Sequence, residues 1–121
     1  MSLMAEENDF LPLTGFPSPA ETHWEPPLDL NHQLIAHPAA SFVVRARRAW
    51  PRLGVCAGDL LLVDRALEPR SQQVVLGVLD GAFCLGRLRL GQHGLALDAG
   101  PGPLQELLIW GVVTCVMRRL V

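Results

Sequence analysis

Gln73-Val74-Val75-Leu76-Gly77-Val78-Leu79-Asp80-Gly81-Ala82-Phe83-Cys84-Leu85-Gly86-Arg87-Leu88-Arg89-Leu90 decides the fold class of this chain. Two strand-forming runs flank Asp80-Gly81, a dipeptide suited to a two-residue hairpin because both central residues of such a turn take positive φ. In the second run the period of two puts Phe83, Leu85, Arg87 and Arg89 on one face. Cys84, Gly86, Leu88 and Leu90 fall on the other.

The β signal continues on both sides of the hairpin. Upstream, Ser41 to Ala46 and Asp59 to Asp64 are β-prone. Downstream, Leu95 to Asp98 adds a strand after Gly91-Gln92-His93-Gly94, and Ala99-Gly100-Pro101-Gly102-Pro103 breaks the chain. Leu107 to Met117 is a long apolar run that closes on Arg118-Arg119. Several short strands separated by turns predict a mainly β body, twisted and partly rolled up. One short helix is expected from Asp29, its N-cap, to His37, because a residue before proline avoids the helical region. Residues 1–28 hold five prolines and no sustained periodicity, which predicts a frayed start and an extended arm.

The length of 121 residues suits one domain, and a half-hydrophobic composition suits a real core. No apolar run approaches the ~20 residues of a membrane span, and Met1 to Glu7 lacks a basic leader. The sequence therefore predicts a cytoplasmic protein without membrane contact. Met1-Ser2-Leu3 ahead of Met4 reads as a vector remnant.

All ten basic residues are arginine, so no lysine base, Schiff base or phosphate-binding lysine exists in the chain. Tyrosine is absent too. The net charge of −2 conceals an asymmetry. Residues 1–40 carry six acids and no Lys or Arg, net −6, whereas residues 41–121 carry ten arginines and six acids, net +4. Either an acidic arm lies across a basic body, or the body meets an acidic partner, or the tail is simply solvated.

Cys56, Cys84 and Cys115 lie in apolar stretches without a C-x-x-C, a pattern of buried thiols in a reducing compartment. The four histidines show no metal-ligand spacing, and His32 and His37, five apart, would not share a helical face. No metal and no cofactor are expected. Cys56 sits in a Gly54-Val55-Cys56-Ala57-Gly58 turn without a nearby histidine, which argues against a Cys–His nucleophile. Arg45, Arg47, Arg48 and Arg52 surround Trp50, a composition that can bind nucleic acid through phosphates and stacking. With one aromatic and no recognition helix, a surface loop facing the acidic arm or another protein is the more economical reading. Sequence-specific DNA binding is not expected.

A series of motifs now gives a family resemblance. Gly15-Phe16-Pro17-Ser18-Pro19-Ala20 is followed by Leu28-Asp29-Leu30-Asn31, Leu34-Ile35 and His37-Pro38. Then come Phe42-Val43-Val44-Arg45-Ala46, Gly58-Asp59-Leu60-Leu61-Leu62-Val63-Asp64, and Val78-Leu79-Asp80-Gly81 with Phe83. Trp110-Gly111-Val112-Val113 and Val116-Met117-Arg118 complete the set. In this order and spacing, over about residues 15–119, the chain resembles the LexA/UmuD family of self-cleaving serine–lysine peptidases.

The resemblance implies a compact, largely β, dimerising peptidase-fold domain over residues 15–121, with 15–28 as its arm and 1–14 as a flexible N-terminus. An activated RecA filament on single-stranded DNA provokes such proteins to cut their own arm. In the UmuD branch the trimmed arm licenses association with a translesion DNA polymerase. Only about 14 residues precede Gly15, too few for the DNA-binding domain of the LexA branch, so the UmuD branch is favoured. The implied cleavage bond is Thr14-Gly15.

The departures fall on the chemistry. A Ser–Lys dyad needs a neutral lysine to take the serine proton. Counting back from Gly58-Asp59 puts Ala49 in the family's serine slot, inside a segment one residue shorter than usual. Counting on from Asp80-Gly81 and Phe83 puts Gly86 in the lysine slot. The expectation is a non-catalytic relative, an accessory or regulatory protein of the SOS response. It would partner a translesion polymerase subunit, a RecA filament, or an active UmuD- or LexA-like peptidase. The alternative is an autopeptidase cutting at Thr14-Gly15 with a non-standard nucleophile. Arg47, Arg48 and Trp50, at the rim of the former active site, are expected to form a contact surface. Trp110, Val112, Val113, Val116 and Arg118 are expected at or near the twofold axis of a homodimer, because the family's C-terminal strand lies there.

Overall fold

The computed structural model describes residues 29–91, 94–98 and 107–121. The expected arm over 15–28 and the Thr14-Gly15 bond lie outside the described residues. The chain falls into two units, Met1–Leu34 and Ile35–Val121.

In the first unit, α1 (Leu30–Leu34) starts as the sequence suggests. Asp29 Oδ1 accepts the backbone N–H groups of Asn31 at 3.1 Å and His32 at 3.4 Å, satisfying donors that the first turn leaves free. The helix stops three residues before the predicted His37. None of its residues is buried, so no packed face stabilises a longer helix.

His37, in the second unit, has φ −130° and ψ 81° and leads into a 3-10 turn over Pro38–Ala40. Its ring bonds Asp64 at 2.7 Å, and its carbonyl accepts the Ser41 hydroxyl at 2.7 Å. Asp64 also accepts Ala66 N–H at 2.8 Å, and the His37 hydrogen bond holds its carboxyl below the usual range despite burial.

Six strands follow: β1 (Ser41–Arg45), β2 (Leu60–Asp64), β3 (Val74–Leu79), β4 (Ala82–Gly91), β5 (Gly94–Asp98) and β6 (Leu108–Met117). They form one antiparallel sheet in the order β1-β2-β6-β3-β4-β5, which does not close. The hairpin that opened the sequence reading joins β3 to β4 with Leu79 opposite Ala82. Asp80 and Gly81 both take positive φ, 50° and 78°, the backbone of a type I′ turn.

The long apolar run became β6 at the centre of the sheet. Its first half pairs with β3, from Val78↔Leu108 to Val75↔Val112, and its second half with β2, from Asp64↔Val112 to Leu60↔Met117. A bulge leaves Trp110 opposite the Leu76/Gly77 step, and another leaves Thr114 opposite Leu62/Val63. Such bulges bend a strand and increase its twist.

Both faces of the sheet are covered at its centre. Ala46, Val55, Leu61, Val63, Leu76 and Leu85 form one cluster, and Val75, Cys84, Leu88 and Val112 form another. The expected alternation in β4 holds, with Leu85 in one cluster and Cys84 and Leu88 in the other. Gly111 leaves no room for a side chain. A Cβ there would stand 2.5 Å from Val63 Cγ1, and Val63 is 0% exposed, so it has no room to retreat. Gly111→Ala is expected to destabilise the protein by about 1–3 kcal/mol, read as a lower midpoint in urea unfolding.

Candidate functional site

The segment between β1 and β2, residues 46–59, is tied at its base before it can present anything. Ala46 N–H donates to Asp59 O at 2.9 Å, and Gly58 N–H donates to Ala46 O at 2.7 Å. Within the segment Trp50 and Val55 exchange backbone hydrogen bonds of 2.8 and 3.2 Å, around a 3-10 turn over Pro51–Leu53.

Below it, Asp59 is 1% exposed and is held by Arg118 through two charge-assisted bonds, Nε to Oδ1 at 2.7 Å and Nη2 to Oδ2 at 2.6 Å. Cys56 N–H donates to the same carboxylate at 2.7 Å, and Arg118 Nη2 also reaches Gly54 O at 3.1 Å. These hydrogen bonds, Arg118 foremost, lower the Asp59 pKa to about 2. The end of β6 therefore fixes the segment that carries Trp50.

A groove of about 490 Å³ lies between β1 with this segment and the start of β4. That β1 and β4 line one groove, with three strands between them in the sheet, shows how far the sheet curls. Its buried lining is Ala46, Leu61, Leu76, Cys84 and Leu85, with half-buried Val44 and Trp50. Its exposed lining is Arg45, Arg47, Arg48 and Phe83. Arg48 lays its guanidinium 3.8 Å from the Trp50 ring centre, a cation–π contact that presents the charge with the ring as its support. Arg45 donates to Gly58 O at 2.9 Å.

Among the described residues the lining contains no hydroxyl, carboxylate, lysine or histidine. Apart from the arginines, Cys84 is the only ionisable group among its described residues, and burial pushes that thiol up, away from the thiolate a nucleophile needs. Cys56 is exposed and Cys115 half-buried, so iodoacetamide is expected to label Cys56 first and Cys84 last, as mapped by mass spectrometry. Among the described residues no group of three His, Cys, Asp or Glu could hold a metal ion, and no helix is long and apolar enough to cross a membrane.

The rim residues expected from sequence, Arg47, Arg48 and Trp50, come together on the groove. The two positions expected from motif spacing to stand in for the dyad are sequence neighbours of lining residues. Ala49 is exposed between Arg48 and Trp50, and Gly86 is buried in β4 opposite Val75, next to Leu85.

The residues expected near a twofold axis separate into four environments. Val113 and Val116 lie in the half of β6 that, among the described strands, pairs only with β2. Val112 is buried between β2 and β3, and Arg118 is engaged within its own chain. Trp110 turns to an aromatic cluster that the sequence reading missed. Its ring centre lies 5.3 Å from Phe42 and 5.6 Å from Phe83, with the Arg65 guanidinium 4.4 Å away and Arg65 Nε donating to Trp110 O at 2.8 Å. Its three rings come from three different strands and show no local sequence signal.

An unclosed antiparallel sheet with a groove between β1 and β4 defines the class of protein. Comparisons define its family. Protein SamA of Salmonella typhimurium is 40% identical over 110 residues, covering 87% of this chain and 79% of SamA. Protein ImpA of Escherichia coli is 39% identical over 112 residues, covering 87% of this chain and 77% of ImpA. The LexA repressor of Ectopseudomonas mendocina is 30% identical over 130 residues, covering 95% of this chain and 63% of the repressor. No protein-family model matches the chain. The chain belongs to the LexA/UmuD family.

Proposed function

We propose that this chain is a non-catalytic UmuD-like protein of the SOS DNA-damage response, an accessory or regulatory partner in error-prone translesion synthesis. The observation that carries the proposal is the composition of the groove. A Ser–Lys peptidase needs a hydroxyl and a neutral amine facing the scissile carbonyl, and the groove offers arginines, one protonated thiol and hydrocarbon. The positions that motif spacing assigns to the family's dyad, Ala49 and Gly86, carry a methyl group and a hydrogen.

The surfaces suit binding. The partner is a translesion polymerase subunit, a RecA filament, or an active UmuD- or LexA-like peptidase for which Thr14-Gly15 is the substrate bond. The cytoplasm is where such partners work. A symmetric homodimer fits β6. Cys115 and Met117 pair with β2, no described strand takes the opposite edge of Val113–Met117, and Val116 is 41% exposed there. A free apolar edge of this kind invites a second copy.

Affinity capture from DNA-damaged cells tests the functional reading. The intact protein is expected to retain a polymerase, RecA or peptidase-family partner, and a variant with Arg47→Glu, Arg48→Glu and Trp50→Ala to lose it. If the intact protein retains none of these, the accessory role fails. Equal retention by both keeps the role and removes the rim as its surface.

A further inference from the structure

The outer edge of β1 and the arginine rim lie side by side, and their chemistry selects a ligand. In the β1–β2 ladder Arg65 N–H donates to Ala40 O and Ala46 N–H to Asp59 O. With Phe42 opposite Val63 and Val44 opposite Leu61, the residues that bond β2 are 40, 42, 44 and 46. Antiparallel pairing alternates these with residues whose backbone groups point the other way. The N–H and C=O of Val43 and Arg45 thus face away from β2, along the end of a sheet on which β1 has no second neighbour among the described strands. Val43 is 54% exposed. Beside this edge lie the apolar groove and Arg45, Arg47 and Arg48, and no acidic residue lines it among those described. Residues 41–58 hold four arginines and no Asp or Glu at all.

We infer that the groove takes an extended acidic peptide from a partner protein, added to β1 as an outer strand. This rests on the reading of the groove as a binding surface and names what it binds. Backbone groups of the peptide pair with Val43 and Arg45. Alternate apolar side chains enter the groove toward Val44, Trp50 and Phe83, and the acidic ones between them meet Arg47 and Arg48. Strand addition supplies affinity through the main chain and specificity through alternate side chains. Nucleic acid is disfavoured because the buried lining is aliphatic, whereas phosphate chains seek a continuous basic track with several stacking rings.

The test uses the full chain and a fluorescein-labelled peptide of about eight residues with alternating valine and glutamate, a length that gives one strand. Fluorescence polarisation is expected to show binding that weakens on the order of tenfold or more when lysine replaces the glutamates. A similar loss is expected for Arg47→Glu with Arg48→Glu in the protein. Val43→Pro removes only an outward-facing N–H from an edge strand, which tolerates proline, so its circular dichroism should match the parent while binding falls. The inference is overturned if the parent does not bind. It is overturned equally if Val43→Pro binds normally, or if polyglutamate or oligo-dT binds as tightly as the alternating peptide. A chain that proves to cleave itself removes the non-catalytic reading whatever the peptides do. An intact chain that ignores the acidic peptide removes only this inference.

Discussion

Arg118→Ala is expected to melt on the order of 10 °C below the parent, and Asp59→Asn less far below it. The asymmetry follows from exposure. Asp59 is 1% exposed, whereas the Arg118 side chain is 43% exposed. Removing the arginine strands a buried carboxylate, while removing the carboxylate leaves a guanidinium that can turn to water and to Gly54 O. Acid should narrow the difference. The Asp59 pKa is lowered from 3.8 to about 2, chiefly by the Arg118 hydrogen bonds. A pKa below the unfolded value means that the pair stabilises fully above the ordinary carboxylate range and loses that contribution as pH falls toward 2. Melting curves of parent and Arg118→Ala should therefore converge between roughly pH 4 and pH 2. A constant gap would show that Arg118 acts through packing alone.

Val116→Asp is expected to convert a dimer at micromolar concentration into a folded monomer. At a twofold axis each substitution brings two carboxylates together across the free edge of β6, while 41% exposure leaves the new charge hydrated in the separated chain. Val113→Asp should behave differently, because Val113 packs against the cluster of Leu61, Val63 and Leu76 and its replacement buries a charge. Sedimentation with circular dichroism separates the outcomes: Val116→Asp loses mass and keeps its spectrum, and Val113→Asp loses both. A parent that sediments as a stable monomer removes the homodimer.

Much of this fold was legible because its signals are local. Asp80-Gly81 specifies the β3–β4 turn by backbone conformation alone, and Asp29 caps α1 within four residues. The strands were placed within a residue or two, from Ser41–Arg45 to Leu108–Met117, because apolar runs bounded by Gly, Pro and Asp leave little choice. The end of α1 was not legible. It depends on the absence of a buried face and on His37 reaching Asp64, 27 residues away. The apolar length of β6 was ambiguous between a central strand and a sticky edge. It is central in the sheet, paired on both sides at Val112, and beyond that point β2 is its one neighbour among the described strands.

The rim residues were legible as an arginine-rich stretch around Trp50, and the groove brings them together. The Asp59–Arg118 tie and the Phe42–Trp110–Phe83 cluster were not, since each joins positions far apart in the chain through a register that local periodicity does not encode. Ala49 and Gly86 became meaningful only through the family's motif spacing. As isolated residues an alanine and a glycine carry no signal.

The central claim is the absence of self-cleavage. Purified protein, free of other proteases, should be incubated at about pH 10, where deprotonation of a catalytic lysine would be promoted, and separately with activated RecA filaments at neutral pH. Intact-mass spectrometry is expected to return the full-length chain in both cases. A fragment beginning at Gly15 would contradict the non-catalytic reading directly and require a nucleophile other than the residues at positions 49 and 86.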